Sequence, residues 1–369
     1  MTAPRVVAAG GHSAGHIEPM MNFADALRRL EPTAEITALG TVRGLDTTLI
    51  PARGYPLELI PPVPLERGLN RALLGTPGRL RESVRAAGAV LHRVRAEVVV
   101  GFGGYVAVPA YLAARGQGLP IVVHEANARP GVANRLAARM TTHVFTAAPS
   151  VRLAHATAIG IPLRPAITGL DRPALRDAAR RRFGLRPDGP VLMVTGGSQG
   201  ARTINAAMSG AAAALRATGV QVLHITGPRH AVDVPGGGPA DPAYVVVPYV
   251  DEMRYAYAAA DFVICRSGAM TCAELAAVGL PAAYVPLPLR GGEQRLNAEP
   301  VVAAGGALLV DDADLSPAWI EATLIPVLTH PERVAAMSAR ASSAGAPDAG
   351  VVLARHVLAA AAERRGLAS

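Results

Sequence analysis

The chain has 369 residues, half of them hydrophobic and 17% charged, which is more than one core accommodates and too apolar for a disordered chain, so two folded domains are expected. All 36 basic residues are arginine, which excludes chemistry that needs a side-chain amine, such as a Schiff base, a pyridoxal phosphate anchor or a Walker A lysine. The formal net charge of +8 suits an anionic partner, whether nucleotide phosphate, lipid pyrophosphate, an acidic membrane surface or nucleic acid, and does not choose among them.

Met1 leads directly into a strand pattern at Arg5 to Ala9, without the basic, apolar and cleavage regions of a secretion signal. Short β-branched runs ending in Gly or polar turns then alternate with Ala/Leu/Arg-rich helical stretches, the pattern of parallel sheets with crossover helices. The fold class is therefore α/β. The first half carries expected strands at Arg5 to Ala9, Ile36 to Leu39, Val98 to Val100, Ile121 to His124 and Val144 to Thr146. Between the second and third lies Leu65 to Arg95, where Arg67, Arg71, Arg79, Arg81, Arg85, Arg93 and Arg95 outnumber Glu66 and Glu82 and are interleaved with Leu69, Leu73, Leu74 and Leu80. That mixture suits an anionic lipid surface and equally an amphipathic helix with a solvated face. The longest uncharged run, Val98 to Ala114, is broken by Gly101, Gly103, Gly104 and Pro109, so no spanning helix is expected there.

Gly160-Ile161-Pro162-Leu163-Arg164-Pro165 cannot continue a helix and predicts a hinge, dividing the chain into domains over residues 1–163 and 164–348 with a ligand cleft expected between them. The second half repeats the opening architecture: Val191 to Thr195 runs into Gly196-Gly197 as Val6 to Ala9 runs into Gly10-Gly11. Further strands are expected at Val222 to Ile225, Tyr244 to Pro248, Phe262 to Cys265, Ala283 to Val285 and Ala307 to Leu309. Helices follow at Ser316 to Leu328, Pro331 to Ala344 and Ala349 to Arg365, the last expected to pack back on the first domain. Asp312 and Asp314, just before the Ser316 helix, fit capping and solvation better than a metal-binding pair. Cys265 and Cys272 match neither a zinc knuckle nor a redox pair and predict buried thiols in a reducing compartment.

Three strand-to-helix turns carry the candidate chemistry. Gly10-Gly11-His12-Ser13-Ala14-Gly15-His16 and Gly196-Gly197-Ser198-Gln199-Gly200-Ala201 are small enough for backbone N–H groups to approach an anion at a helix N-terminus. His16 sits at the positive end of its helix, where the neutral imidazole is favoured and can accept a proton. Cys265 to Glu274 ends a strand and opens a helix whose Glu274 can accept both hydroxyls of a ribose or simply complement the helix dipole.

The segments Gly10 to Pro19, Gly101 to Pro109 (GFGGYVAVP), His124 to Asn134 (HEANARPGVAN), Gly196 to Ala201 (GGSQGA), Tyr249 to Met253 (YVDEM), Cys265 to Glu274 and Glu293 to Ala298 (EQRLNA) resemble the MurG family in order and spacing, over nearly the whole chain. The resemblance implies a GT-B fold of two Rossmann-like domains. It implies inverting, metal-independent transfer of GlcNAc from UDP-GlcNAc to the C4 hydroxyl of the MurNAc unit of undecaprenyl-pyrophosphoryl-MurNAc-pentapeptide, without a cofactor. It carries donor contacts to Ser13, Ala14, Gly15, Asn127, Arg164, Ser198, Val250, Ala269, Met270, Thr271, Cys272, Ala273, Glu274 and Gln294, and the role of general base to His16. Arg164 suits diphosphate, Glu274 the ribose diol, the backbone at Val250 the uracil edge, and Gln294 and Asn127 the sugar. Tyr105 is expected to shape the acceptor side, and His124 with Glu125 to form either an acid/base pair or a support for the Asn127 loop.

The same resemblance implies a peripheral protein on the cytoplasmic face of the cell membrane, touching anionic lipid through Leu65 to Arg95, with cell-wall synthesis proteins as further partners and no nucleic acid. Two residues depart from the family pattern: His12 stands where the first loop usually has Gly, and Glu293 replaces the first Gln of a pair. Both suit the alternative of a paralogue with a different acceptor. A UDP-sugar epimerase would need further acid/base residues, a non-catalytic nucleotide binder would leave His16, Glu274 and Gln294 unexplained, and a nicotinamide dehydrogenase fails because the first loop lacks G-x-G-x-x-G spacing.

Overall fold

The computed structural model describes residues 3–63, 76–234, 236–238, 240–288 and 291–366. The chain packs into two compact units, Met1–Arg164 with Pro347–Ser369, and Pro165–Ala346. The part of the basic segment from Leu65 to Gly75, with Glu66, Arg67, Leu69, Arg71, Leu73 and Leu74, lies outside the described residues.

In the first unit the described strands are β1 (Arg5–Gly10), β2 (Glu35–Gly40), β3 (Leu57–Leu59), β4 (Val98–Gly103), β5 (Ile121–Glu125), β6 (Val144–Thr146) and β7 (Ala156–Ala158), all parallel, in the order β3-β2-β1-β4-β5-β6-β7. Strand alternation splits β1 between two cores. Val6 and Ala8 face a cluster with Met20, Phe23 and Leu27 of the helix Ala14–Leu30 and Leu353, Val357 and Ala361 of the helix Ala349–Arg364. Val7 and Ala9 face Ala87, Val90 and Leu91 of the helix Thr76–Arg93 and Ala110, Tyr111 and Ala114 of the helix Ala107–Gly116. The C-terminal helix comes close enough to the first that a Cβ on Gly350 would stand 3.2 Å from the Ala26 Cβ.

In the second unit the strands are β8 (Val191–Thr195), β9 (Gln221–Ile225), β10 (Tyr244–Val247), β11 (Phe262–Cys265), β12 (Ala282–Tyr284) and β13 (Ala307–Leu309), again parallel, in the order β10-β9-β8-β11-β12-β13. Each of the eleven expected strands is present. The two that sequence patterning missed, β3 and β7, are three-residue edge strands, and β7 is exposed at every position, so no apolar run marks it. In both sheets the chain direction of build reverses beside the first strand, at β1/β4 and at β8/β11, and ligands of such sheets bind at the carboxyl ends flanking that reversal.

Arginine does part of the structural work in the second unit. Arg180 is fully buried and donates to the carbonyls of Ala259 (3.2 Å), Pro187 (2.5 Å) and Gly189 (3.1 Å) and to Asp261 Oδ2 (2.8 Å). Asp261 in turn accepts from the Val191 N–H at 2.8 Å, so one guanidinium ties the helix Arg172–Arg182 to the start of β8. Removing one partner of a buried pair strands the other and costs about 3 to 5 kcal/mol. Arg180→Ala is therefore expected to lower the unfolding free energy of the second unit by that margin, measured by urea unfolding followed by circular dichroism; an unchanged midpoint would refute the anchoring role.

Candidate active site

At the first reversal, the Gly10 to His16 turn leaves β1 and the Gly103-Gly104 turn leaves β4. The β1/β4 register slips between Ala9 and Gly10, an irregularity that lets Gly103 pair with Gly10 and turns the chain early. Gly103 and Gly104 have φ of +91° and +78°, where only glycine is unstrained. Their missing side chains make room for the His16 imidazole: a Cβ on Gly103 would lie 3.2 Å from its Cε1, and one on Gly104 3.4 Å from its Cδ2.

His12 keeps the backbone conformation expected of glycine, with φ of +75°. The buried Asp46 carboxylate holds it there, accepting from the His12 N–H at 2.6 Å and the Thr41 N–H at 2.8 Å. Gly11 is confined by the same group, since a Cβ there would stand 2.6 Å from Asp46 Oδ2. The His12 side chain is thereby directed outwards, its ring 6.3 Å from that of the exposed Tyr105, so the departure from glycine leaves the turn itself intact. Ser13, Ala14 and Gly15 are exposed, and Ser13 is the N-cap of the helix.

Behind His16 lies a buried polar network. Tyr111 Oη donates to Asn134 Oδ1 at 2.8 Å, and Asn134 Nδ2 donates to the His124 carbonyl at 3.1 Å and to Glu125 Oε2 at 3.0 Å. Glu125 also accepts from the Gly131 N–H (2.9 Å), the Asn127 N–H (3.0 Å) and Asn127 Nδ2 (3.3 Å). Burial pushes the Glu125 carboxyl above its usual range, while these N–H donors pull the other way. Glu125 thus braces the Asn127 loop. His124 points elsewhere, with Nε2 2.8 Å from the Gly160 carbonyl and its ring 5.5 Å from Phe102, so the two do not form an acid/base pair.

Arg164 donates to Glu18 Oε2 at 2.8 Å, and Arg53 donates to the same oxygen at 3.2 Å. A single helical carboxylate thus holds two guanidinium groups.

The second reversal opens into a cavity of about 880 Å³, lined by Gly196 to Thr203, Arg229, His230, Arg266, Gly268, Thr271, Leu287, Pro288, Gln294 and Asp312. That volume is ample for a nucleotide sugar. Of the residues singled out in sequence, Ser198, Thr271 and Gln294 meet here. Gln294 Oε1 accepts from the Leu287 N–H at 2.9 Å, which fixes the amide. Ala269, Met270, Ala273 and Glu274 share the helix Ala269–Ala277 with Thr271 but fall outside the cavity lining, and so does Val250, in the loop after β10. Glu274 Oε2 accepts from Tyr257 Oη at 2.7 Å. Cys272 turns into the core beside Cys265; burial pushes both thiols up, Cys272 to about 12, so neither ionises near neutrality.

Asp312 corrects the expectation of a capping residue: it receives the Arg266 guanidinium and, at 3.1 Å, the Thr203 hydroxyl, and so forms part of the cavity wall. Ser316 is the cap, accepting from the Trp319 N–H at 3.2 Å. Among the described residues no group of three or more His, Cys, Asp and Glu is placed to hold a metal ion. Asp46, Asn134, Tyr257, Arg229 and Arg266 went unrecognised as parts of these sites because each is recruited from outside, or from the silent positions of, the Gly-rich signatures.

Residues 6–146 match the glycosyltransferase family 28 N-terminal domain and residues 191–352 the family 28 C-terminal domain. A UDP-N-acetylglucosamine--N-acetylmuramyl-(pentapeptide) pyrophosphoryl-undecaprenol N-acetylglucosamine transferase of Streptomyces avermitilis is 55% identical over 97% of this chain and 99% of its own length. The chain belongs to the MurG family. A MurG-family transferase of Mycolicibacterium smegmatis is 58% identical over 93% of this chain and 91% of its own length. The crystal structure of MurG from Acinetobacter baumannii superposes with a TM-score of 0.79 at 24% identity, covering 97% of this chain and 99% of that one, so the MurG fold, with its two parallel-sheet units of GT-B type, is shared.

His124 makes the first unit acid-sensitive. Burial lowers its pKa from 6.5 to about 4, opposed by the Gly160 hydrogen bond. The unfolded chain therefore binds the proton first, and stability present above pH 6.5 is lost as pH falls towards 4, by about 3 kcal/mol at 1.4 kcal/mol per unit. In the second unit burial lowers His224 to about 4 as well, with the same sign. Thermal midpoints measured from pH 7 to 4 should fall, and His124→Gln should flatten the loss for the first unit; an equally steep acid limb in the variant would contradict the assignment.

Proposed function

We propose that the chain transfers N-acetylglucosamine from UDP-GlcNAc to the C4 hydroxyl of MurNAc in undecaprenyl-pyrophosphoryl-MurNAc-pentapeptide, with His16 as general base. The observation that carries this reading is full-length kinship, 55% identity over 97% of the chain, with a transferase named for that reaction. The geometry supports it with a histidine seated at one sheet reversal and a cavity of nucleotide-sugar size at the other.

In this mechanism the His16 imidazole takes the proton of the acceptor hydroxyl as its oxygen attacks the anomeric carbon. The bond from that carbon to the UDP oxygen breaks, and configuration inverts. Negative charge growing on UDP is met by N–H groups at the opening turn of the helix Ala269–Ala277 and by the Ser198 loop, which need no reorganisation because glycines already fix them. Gln294, its carbonyl engaged by Leu287, offers its NH2 group to sugar oxygens, and Glu274, oriented by Tyr257, accepts from the ribose. Asn127 is braced by Glu125 to meet the sugar, and Arg164, Val250 and the backbone of Ser13 to Gly15 complete the donor contacts.

UDP release from UDP-GlcNAc with a short-chain lipid-linked MurNAc-pentapeptide acceptor tests the reaction. Acceptor-dependent release that survives EDTA and falls at least a hundredfold in His16→Ala is expected. Donor binding without turnover on this acceptor would point instead to a paralogue with another acceptor.

No helix of the described residues is long and apolar enough to cross a membrane. The lipid acceptor calls for peripheral contact at the cytoplasmic face of the membrane, and Arg79, Arg81 and Arg85 are exposed on the helix Thr76–Arg93 to make it. At about 1 kcal/mol for each charge near an anionic surface, replacing all three by Gln should weaken co-sedimentation with phosphatidylglycerol vesicles roughly a hundredfold, leaving turnover of a water-soluble acceptor analogue unchanged. Equal vesicle binding by the variant would remove this helix from the membrane contact.

A further inference from the structure

The second-unit cavity contains a cation that none of the sequence signatures includes. We propose that Arg229 is a binding residue for the diphosphate of the nucleotide-sugar donor, an inference that rests on the donor occupying this cavity.

Two glycine turns place it there. Gly200 ends the turn after β8 and Gly227 opens the turn after β9, with φ of +75° and +90°. They touch backbone to backbone: a Cβ on Gly200 would stand 2.1 Å from the Thr226 carbonyl oxygen, and one on Gly227 2.6 Å from Gly200 Cα. The His230 ring closes over the same contact, 2.6 Å from where a Gly200 Cβ would stand, and the His230 N–H donates to the Gly227 carbonyl at 3.2 Å. The segment from Thr226 to His230 is therefore clamped to the Ser198 loop, and Arg229 and His230 both line the cavity.

The three arginines of that lining differ in what they already hold. Arg266 is consumed by Asp312 and by the carbonyls of Val285 (3.1 Å) and Pro286 (3.4 Å), which makes it a part of the wall. Arg202 opens the helix Arg202–Gly210. Arg229 donates through Nη2 to the neutral side-chain carbonyl of Gln199, in the middle of the Gly-rich loop, and among the described residues no carboxylate pairs with it. Gln199 thus steers the guanidinium across the loop without neutralising it. A guanidinium has five N–H donors in a planar fork, and one bond to Gln199 leaves the pair of donors that a phosphate accepts. The Gly197 N–H is spent on Thr195 Oγ1 at 3.1 Å and the Gly200 N–H on the Gly197 carbonyl at 3.0 Å, so the loop's own amides do not supply all the countercharge that a diphosphate needs.

Calorimetric titration of the full chain with UDP-GlcNAc, UDP and uridine tests the assignment. Arg229→Gln should weaken UDP and UDP-GlcNAc by roughly 10- to 100-fold and leave uridine unchanged, with Arg229→Lys intermediate because it restores charge without the fork. The thermal midpoint without ligand should be that of the wild type, which separates a lost phosphate contact from a damaged fold. Variants that bind UDP within twofold of the wild type overturn the role of Arg229, and so does a loss that extends equally to uridine. A wild-type chain that binds neither UDP-GlcNAc nor UDP overturns the donor assignment itself, whatever the variants do.

Discussion

Exclusion of side chains from a few backbone positions is the constraint on which both sites depend. At the first sheet reversal Gly103 and Gly104 leave the space the His16 ring fills; at the second Gly196 is pressed so closely that a Cβ would stand 2.2 Å from the Ala201 nitrogen. Such close backbone contacts fix the turns sterically. The cost is that a glycine loses more conformational freedom on folding than other residues do, by roughly 0.5 to 1 kcal/mol each. Buried carboxylates pin the neighbouring loops: Asp46 holds the loop that leads to His16, and Glu125 holds the loop that presents Asn127.

The repeated strand, Gly-rich turn and helix were legible in sequence because parallel strands buried on both faces are continuous apolar runs. Edge strands are not, and the exposed Ala156 to Ala158 has nothing in its composition to distinguish it from a loop. Site residues on the Gly-rich turns were legible for a similar reason, since positive φ and anion binding both demand small residues there. Their supports were not. Asp46 lies 34 residues from its His12 partner, and Asp312 lies 46 from Arg266, and no local pattern links residues so far apart. His124 and Glu125 could be read in sequence either as an acid/base pair or as a support for the Asn127 loop, and strand geometry decides between the two: successive residues of a strand face opposite ways, so His124 meets Gly160 while Glu125 supports the Asn127 loop.

His12 illustrates how a bulky residue enters a position built for glycine. An L-residue at φ of +75° is strained, and histidine is among those that tolerate it. The hydrogen bond that its N–H donates to the Asp46 carboxylate is of the kind that offsets such a cost. With the backbone held, the exposed imidazole stands beside Tyr105. The residue therefore sets what the rim of the first loop presents while its own backbone keeps a glycine-like φ.

A chain whose cations are all arginine has to divide one side chain between framework and ligand. Arg180 and Arg172 sit among backbone carbonyls, where a planar fork satisfies three or four acceptors at once and where an ammonium group would be harder to desolvate. Desolvation lowers Arg172 to about 10, still above physiological pH, so the framework charge persists. Arg266 combines both conditions, lining the cavity while being neutralised by Asp312. What separates these framework arginines from one able to recruit an anion is how much of the fork is used: several carbonyls or a carboxylate occupy Arg172, Arg180 and Arg266, whereas a single bond to the Gln199 amide oxygen directs Arg229 and leaves its charge and remaining donors for the ligand.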